Sequence, residues 1–269
     1  MVAEAFGLAR LDLNDYTGAA DWLRRAVEAD DATASMRCVE KYGSVLARLA
    51  WRQIRDASAR HVDDSPGVRE AYQKLELSID LLQNLLRLSP TMERNASLGS
   101  AYKRLAMVRH DLAEGDWRAS LQTSIKHYQH AQKISTVNGQ EWCYPAANVC
   151  ITRMVLDSGK TVLKPPFGER TPYRMALQEK NQTDPDFFST IAQIEANIYD
   201  AIALDKLSEH CADFLHELGS LYLRARGTRF WGPVLDQLDF VDGLWAREVV
   251  QKERTAREEL REFLYQCQL

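Results

Sequence analysis

The stretch Asn95-Ala96-Ser97-Leu98-Gly99-Ser100-Ala101-Tyr102-Lys103-Arg104-Leu105-Ala106 decides how the rest of the chain is read. Leu98 and Gly99 are followed three residues on by Tyr102, at helical spacing. The glycine lets a neighbouring helix approach closely, while the leucine and tyrosine fill the space beside the contact. The stretch is therefore the first helix of a helical hairpin. The same pairing of a large residue with glycine recurs at Phe6-Gly7, Tyr42-Gly43 and Leu218-Gly219, the last again followed by Tyr222.

Working outward, residues 4 to 31 carry a complete hairpin. Asn14-Asp15-Tyr16 makes the turn, and the short residues Ala19 and Ala26 flank Leu23 in the second helix before Asp30-Asp31 ends it. No capping residue stands ahead of the first helix, so we expect the chain to be a fragment of a longer protein. A second hairpin pairs Tyr42-Gly43 with Leu75, Ile79, Leu82, Leu85 and Leu86, ending at Ser89-Pro90. Its long connection, Asp56 to Gly67, contains Ser65-Pro66-Gly67 as a breaker, which predicts extended helices or a surface loop. The third runs from Thr91 to Ser135 through a turn at Gly115-Asp116-Trp117. After Asn138-Gly139, Trp142-Cys143-Tyr144-Pro145 places a proline in the first turn of the apolar helix Val149 to Leu156.

Residues 157–186 lose this regularity, with Lys164-Pro165-Pro166-Phe167-Gly168, Thr171-Pro172 and Thr183-Asp184-Pro185 as punctuation, and are expected to form a loop or lid. Helices return at Phe187 to Leu204, at Ser208 to Ala225 and from Gly232-Pro233 onward, followed by a charged helical tail after Arg247.

These repeats resemble the tetratricopeptide superfamily across nearly the whole chain. The resemblance predicts an all-α, tetratricopeptide-like right-handed α-solenoid of about five helical hairpins. Residues 1–269 would form one solenoid, with N-terminal repeats at 1–156, the loop or lid at 157–186 and C-terminal helices at 187–269. A narrower resemblance rests on Leu98-Gly99-Ser100-Ala101-Tyr102-Lys103-Arg104, Tyr144-Pro145-x-x-Asn148, Asp186-Phe187-Phe188-Ser189 and Val234-Leu235-Asp236-Gln237-Leu238. These look like the ordered motifs of the bacterial tetratricopeptide "sensor" domain. That domain is found beside caspase-like CHAT proteases and other effectors in prokaryotic conflict systems, and is similar to the helical region of stress-activated kinases of the ASK type. Cys143 stands where the family often has a second aromatic. The resemblance implies a regulatory module that senses a ligand, nucleotide-derived or otherwise anionic, or a protein partner, on behalf of an effector domain. The alternative is a generic adaptor that binds a peptide segment of a partner protein.

Counting from the glycine of each first helix, the concave positions hold Arg37, Glu40, Ser44 and Arg48 in the second hairpin. In the third they hold Ser100, Lys103 and Arg104, with Asn148 next along. Guanidinium and ammonium groups on one wall favour carboxylate or phosphate through charge-assisted hydrogen bonds. Alternatively these cations pair with Glu40 and Glu93 as surface ion pairs of about 0 to 1 kcal/mol each. Trp142 and Tyr144 would offer a stacking face, or belong to the core.

Other chemistry is poorly supported. Gly159-Lys160-Thr161 ends like a phosphate-binding loop, but Met154 stands where its earlier glycine should be. His127 and His130 share a helix face without further metal ligands at a recognisable spacing. No Gly-x-Ser-x-Gly elbow is present. We therefore expect a protein that is not an enzyme and needs neither cofactor nor metal. A net charge of −4 over 269 residues argues against general nucleic-acid binding. The five cysteines lack a Cys-x-x-Cys pair and suit reduced, buried thiols. With no membrane span or signal pattern, a cytoplasmic location is expected.

Overall fold

The computed structural model describes residues 2–29, 34–59, 65–137 and 143–268. The predicted Asp30-Asp31 and Asn138-Gly139 turns, residues 60–64 of the long connection, and Trp142 lie outside them. The described residues form twelve helices and no strand. The all-α solenoid expectation is met. The chain divides into two compact units, Met1–Pro145 and Ala146–Leu269.

The first unit is built from three successive hairpins: α1 (Val2–Asp12) with α2 (Tyr16–Val27), α3 (Met36–Ala59) with α4 (Ser65–Leu88), and α5 (Met92–Asp111) with α6 (Trp117–Val137). Local chemistry sets each turn. Asn14 adopts φ 57°, and the Asp15 carboxylate accepts a bond from the Gly18 amide at 2.9 Å, capping α2. Ala113, at φ 52°, and Gly115, at φ 65°, are the left-handed residues between α5 and α6, and Asp116 accepts from the Ala119 amide.

The glycines close the hairpins as the repeat pattern requires. A Cβ on Gly7 would stand 2.6 Å from Leu23 Cγ, one on Gly43 3.0 Å from Leu82 Cγ, and one on Gly99 3.0 Å from the Tyr128 ring. Each first helix thus takes a large residue of its partner directly against its backbone. One turn before the large residue, the Ser78 hydroxyl donates to the Gly43 carbonyl (2.6 Å) and Ser124 to that of Gly99 (2.7 Å). Ala19 holds the equivalent place in the first hairpin. The hairpins stack: α3 packs on both α1 and α5, and Leu23, Ala26, Cys38, Tyr42, Val45 and Leu46 form a shared core between the first two.

The second unit contains most of α7 (Cys143–Asp157) together with α8 (Pro172–Thr183), α9 (Phe187–Ala203), α10 (Leu207–Arg224), α11 (Thr228–Leu244) and α12 (Gln251–Gln266). Three sequence expectations change, two of them in this unit. The segment read as a loop or lid contains α8, because Thr171 caps the helix through its hydroxyl and Pro172 occupies the first turn, where a missing N–H costs nothing. In the first unit Ser65-Pro66-Gly67, read as a breaker, opens α4, with Pro66 in the first turn. Helix α11 begins at Thr228, so Gly232-Pro233 lies inside it. The start is anchored by Trp231, which is fully buried and donates its indole N–H to the Ala225 carbonyl at 2.8 Å.

The pattern Leu218-Gly219-x-x-Tyr222 also fails as a repeat signature, since nothing lies within 4 Å of a Cβ placed on Gly219. The second unit coheres by other means. Lys206 gives α10 no side-chain cap; instead Glu253 reaches over from α12. Its carboxylate accepts from the Leu207 amide at 2.8 Å and from the amide and hydroxyl of Ser208. An anion is thereby held at a helix N-terminus by the fold's own side chain.

Candidate ligand cleft

In the first unit, α3 and α5 lie side by side and expose one stripe each to a common cleft of about 380 Å³. Helix α3 contributes Glu40, Lys41, Ser44 and Arg48, and α5 contributes Met92, Glu93, Ala96, Ser97, Ser100 and Arg104. Leu11, Tyr16 and Tyr144 close its ends. The α5 residues recur every three or four positions and so share one face of the helix.

Of the residues expected from the sequence, Arg48, Ser100, Arg104 and Tyr144 line this cleft. Arg37 is on the same stripe of α3 but sits exposed in its first turn, outside the lining. Lys103 is buried and, one residue from Arg104, is turned about 100° around the helix away from the cleft face. Asn148 is buried in the second unit, on α7. The lining residues that sequence counting missed include Tyr16, Lys41, Met92 and Ser97.

The cleft is electrically uneven. Arg48 donates to the Tyr16 hydroxyl and lies 4.6 Å from the centre of that ring, with Arg52 at 5.0 Å. Tyr16 thus orients a guanidinium at one end. On the other wall the Arg104 guanidinium donates to the Ser100 hydroxyl. Glu40 is matched from behind by the buried Arg94, whose Nε is 3.4 Å away. Arg94 also donates to the Ser89 carbonyl at 2.6 Å, closing the C-terminal end of α4. Glu93 remains as a further carboxylate among Lys41, Arg48 and Arg104.

Behind Ser100 and Arg104 lies Tyr128, with 0% of its surface exposed and its hydroxyl beside those of Ser100 and Tyr144. Burial first, and then neighbouring Tyr144, push its pKa well above the usual 10, against the opposing pull of Arg104. The phenol therefore stays protonated, with the hydroxyls of Ser100 and Tyr144 as its hydrogen-bonding neighbours. Tyr144 meets it edge-on, ring centres 6.3 Å apart, and is itself 55% exposed at the mouth of the cleft.

His127, one of the two histidines considered as metal ligands, instead stacks on Tyr102 at 5.6 Å. Burial, and secondarily His130, lower its pKa to about 4, so the ring is neutral. Tyr102 in turn accepts from the Gln83 side chain at 2.8 Å.

Three stacked hairpins presenting a cleft on their first helices define a helical-repeat protein of the tetratricopeptide class. A family model described as Tetratricopeptide Repeats-Sensor matches residues 15–153, more than half of the 269 residues, and the chain belongs to that family. The match spans the three hairpins from the α2 cap onward and ends within α7. No curated protein and no solved structure matches the chain. Among the described residues no helix is long and apolar enough to cross a membrane.

Proposed function

We propose that this protein is a non-catalytic, regulatory binding module of the cytoplasm whose α3–α5 cleft senses an anionic ligand, nucleotide-derived or the acidic end of a protein partner, for an effector domain. The observation that carries this reading is the cleft's donor set. Arg48 and Arg104 stand on facing helices, with Lys41 and Ser100 lining the same cleft. Guanidinium groups bind phosphate and carboxylate with geometric selectivity. Family membership supports the sensor role, and the sequence resemblance supports a place in a bacterial conflict system.

Thermal unfolding tests it, with adenosine diphosphate, inorganic phosphate and a carboxylate-ended peptide each added to the full chain. Binding to the folded state raises the midpoint according to RT ln(1 + [L]/Kd). At least one anion should do so, and Arg48→Ala or Arg104→Ala should remove the effect by weakening binding about 1.5 to 3 kcal/mol. A response to the peptide alone selects the adaptor reading. Anions that stabilise both variants as fully as the wild type would place binding elsewhere and defeat the proposal.

A further inference from the structure

A second cavity, larger than the α3–α5 cleft, is in the second unit, apart from the sensor-family match. It measures about 870 Å³ and is enclosed by the segment 165–170, α8, α9 and α10. Its floor is rigid. Arg174, buried, donates to Asp200 at 3.2 Å, and Asp200 also accepts from the Phe167 amide at 2.7 Å. That pair is neutral and internally satisfied. Beside it the side-chain oxygen of Gln193 is buried without a hydrogen-bond donor, and the amides of Gln178 and Asn197 face the same space.

The wall made by α10 has a polarity of its own. Lys206, His210, Asp213, Phe214 and Glu217 follow at helical spacing, so one face runs from a cation to two carboxylates. Asp213 and Glu217 are exposed like charges one turn apart, an arrangement that weakens a helix unless a cation joins it. Neither they nor Lys206 form an ion pair with any described residue. At 1.5 Å per residue, Lys206 lies about 10 to 16 Å along the axis from the two acids, too far to neutralise them.

From these observations we infer that the second unit is a separate binding site for an extended peptide segment of a partner protein, bearing an acidic and a basic side chain about four residues apart. In an extended chain that separation is about 13 Å, matching the wall. The acidic group meets Lys206, and the basic group lies over Phe214 with its head between Asp213 and Glu217. A peptide N–H meets Gln193, and the other amides pair with the backbone between the charges.

The test is fluorescence anisotropy of the full chain with labelled, end-capped peptides. Two carry Glu and Arg separated by three Gly/Ser residues, one in each chain direction; the others carry Glu twice or Arg twice. One bipolar peptide should bind at least about tenfold more tightly than both single-sign peptides. The Asp213→Asn/Glu217→Gln variant should abolish that advantage with a melting temperature unchanged or slightly raised, since both residues are exposed and their like charges oppose each other across one turn of α10. Arg104→Ala, in the other unit, should leave it intact, which separates this site from the anion cleft. Equal binding of a single-sign peptide, equal binding by the double variant, no binding at millimolar peptide, or free arginine binding as tightly as the peptide would each overturn the inference.

Discussion

Leu98-Gly99-x-x-Tyr102 on α5 and Leu218-Gly219-x-x-Tyr222 on α10 spell one pattern in two different surroundings. Around Gly99 the Tyr128 ring comes within 3.0 Å of where a Cβ would be; around Gly219 there is open space. A helical motif specifies only which residue types share a face, and a partner of matching shape is needed to turn it into a repeat. In the first unit that partner arrives with each hairpin, as Leu23, Leu82 or Tyr128. In the second unit α10 packs instead on α9 and α12, and its N-terminus is held by Glu253. The family match stops at residue 153, before α10 begins.

The largest expected effect comes from removing the partner that gives the α5 pattern its meaning. Tyr128→Ala should destabilise the first unit by about 3 to 5 kcal/mol, because a fully buried aromatic leaves a cavity between α5 and α6. Urea unfolding followed by circular dichroism measures it. Tyr128→Phe separates packing from the hydroxyl: it keeps the ring and should cost only about 0.5 to 1.5 kcal/mol, the range for a lost neutral hydrogen bond. A Phe variant as unstable as the Ala variant would show that the hydroxyl, and not the ring, holds the hairpin together.

The corresponding break in the second unit is at the Glu253 cap. This carboxylate is 2% exposed and accepts from two backbone amides and a hydroxyl. Glu253→Ala should cost about 1.5 to 3 kcal/mol, the range for hydrogen bonds to a charged group. Hydrogen exchange should show the first turn of α10 opening before the rest of the second unit. If the loss appeared equally in the amides of α5 and α6, the two units would not unfold separately.

How much was legible in the sequence follows from the same contrast. The hairpins of the first unit could be read because Gly7, Gly43 and Gly99 each sit against a close helix and Asn14-Asp15 and Gly115-Asp116 carry turn chemistry. Proline was harder to interpret. Pro66 and Pro172 occupy first turns and begin helices, while Pro233 is inside one, and residue type alone does not distinguish these positions. The cleft was half legible: counting along α5 reached Ser100 and Arg104, but one step to Lys103 rotates the side chain off the face. Tyr16 and the hydroxyl of Tyr128 join the site from other helices, at sequence separations set by loop lengths. The Glu253 cap is 46 residues from Leu207 and has no local signature.

The smaller effects lie at the two glycines. Gly99→Ala places a methyl 3.0 Å from a buried ring that is packed on its other sides, so the helices must part slightly. Overpacking of this kind costs about 1 to 3 kcal/mol, against which the gain in helix propensity recovers about 1 kcal/mol. The net change should be a modest destabilisation, read as a lowered urea midpoint at unchanged slope.

Gly219→Ala should reverse the sign. Here the new methyl meets nothing within 4 Å, and Gly219 has no positive φ that an L side chain would strain. What remains is the backbone entropy that a glycine loses when α10 forms, so alanine should stabilise the second unit by about 0.5 to 1 kcal/mol. Paired denaturation curves of the two single variants provide the measurement, with each unit followed by its own hydrogen-exchange protection. Opposite shifts from the same substitution in the same four-residue pattern would show that the close approach, and not the motif, makes the repeat. A Gly219→Ala variant destabilised as much as Gly99→Ala would mean that a helix does come close to α10 at that point, and the distinction between the two patterns would fall.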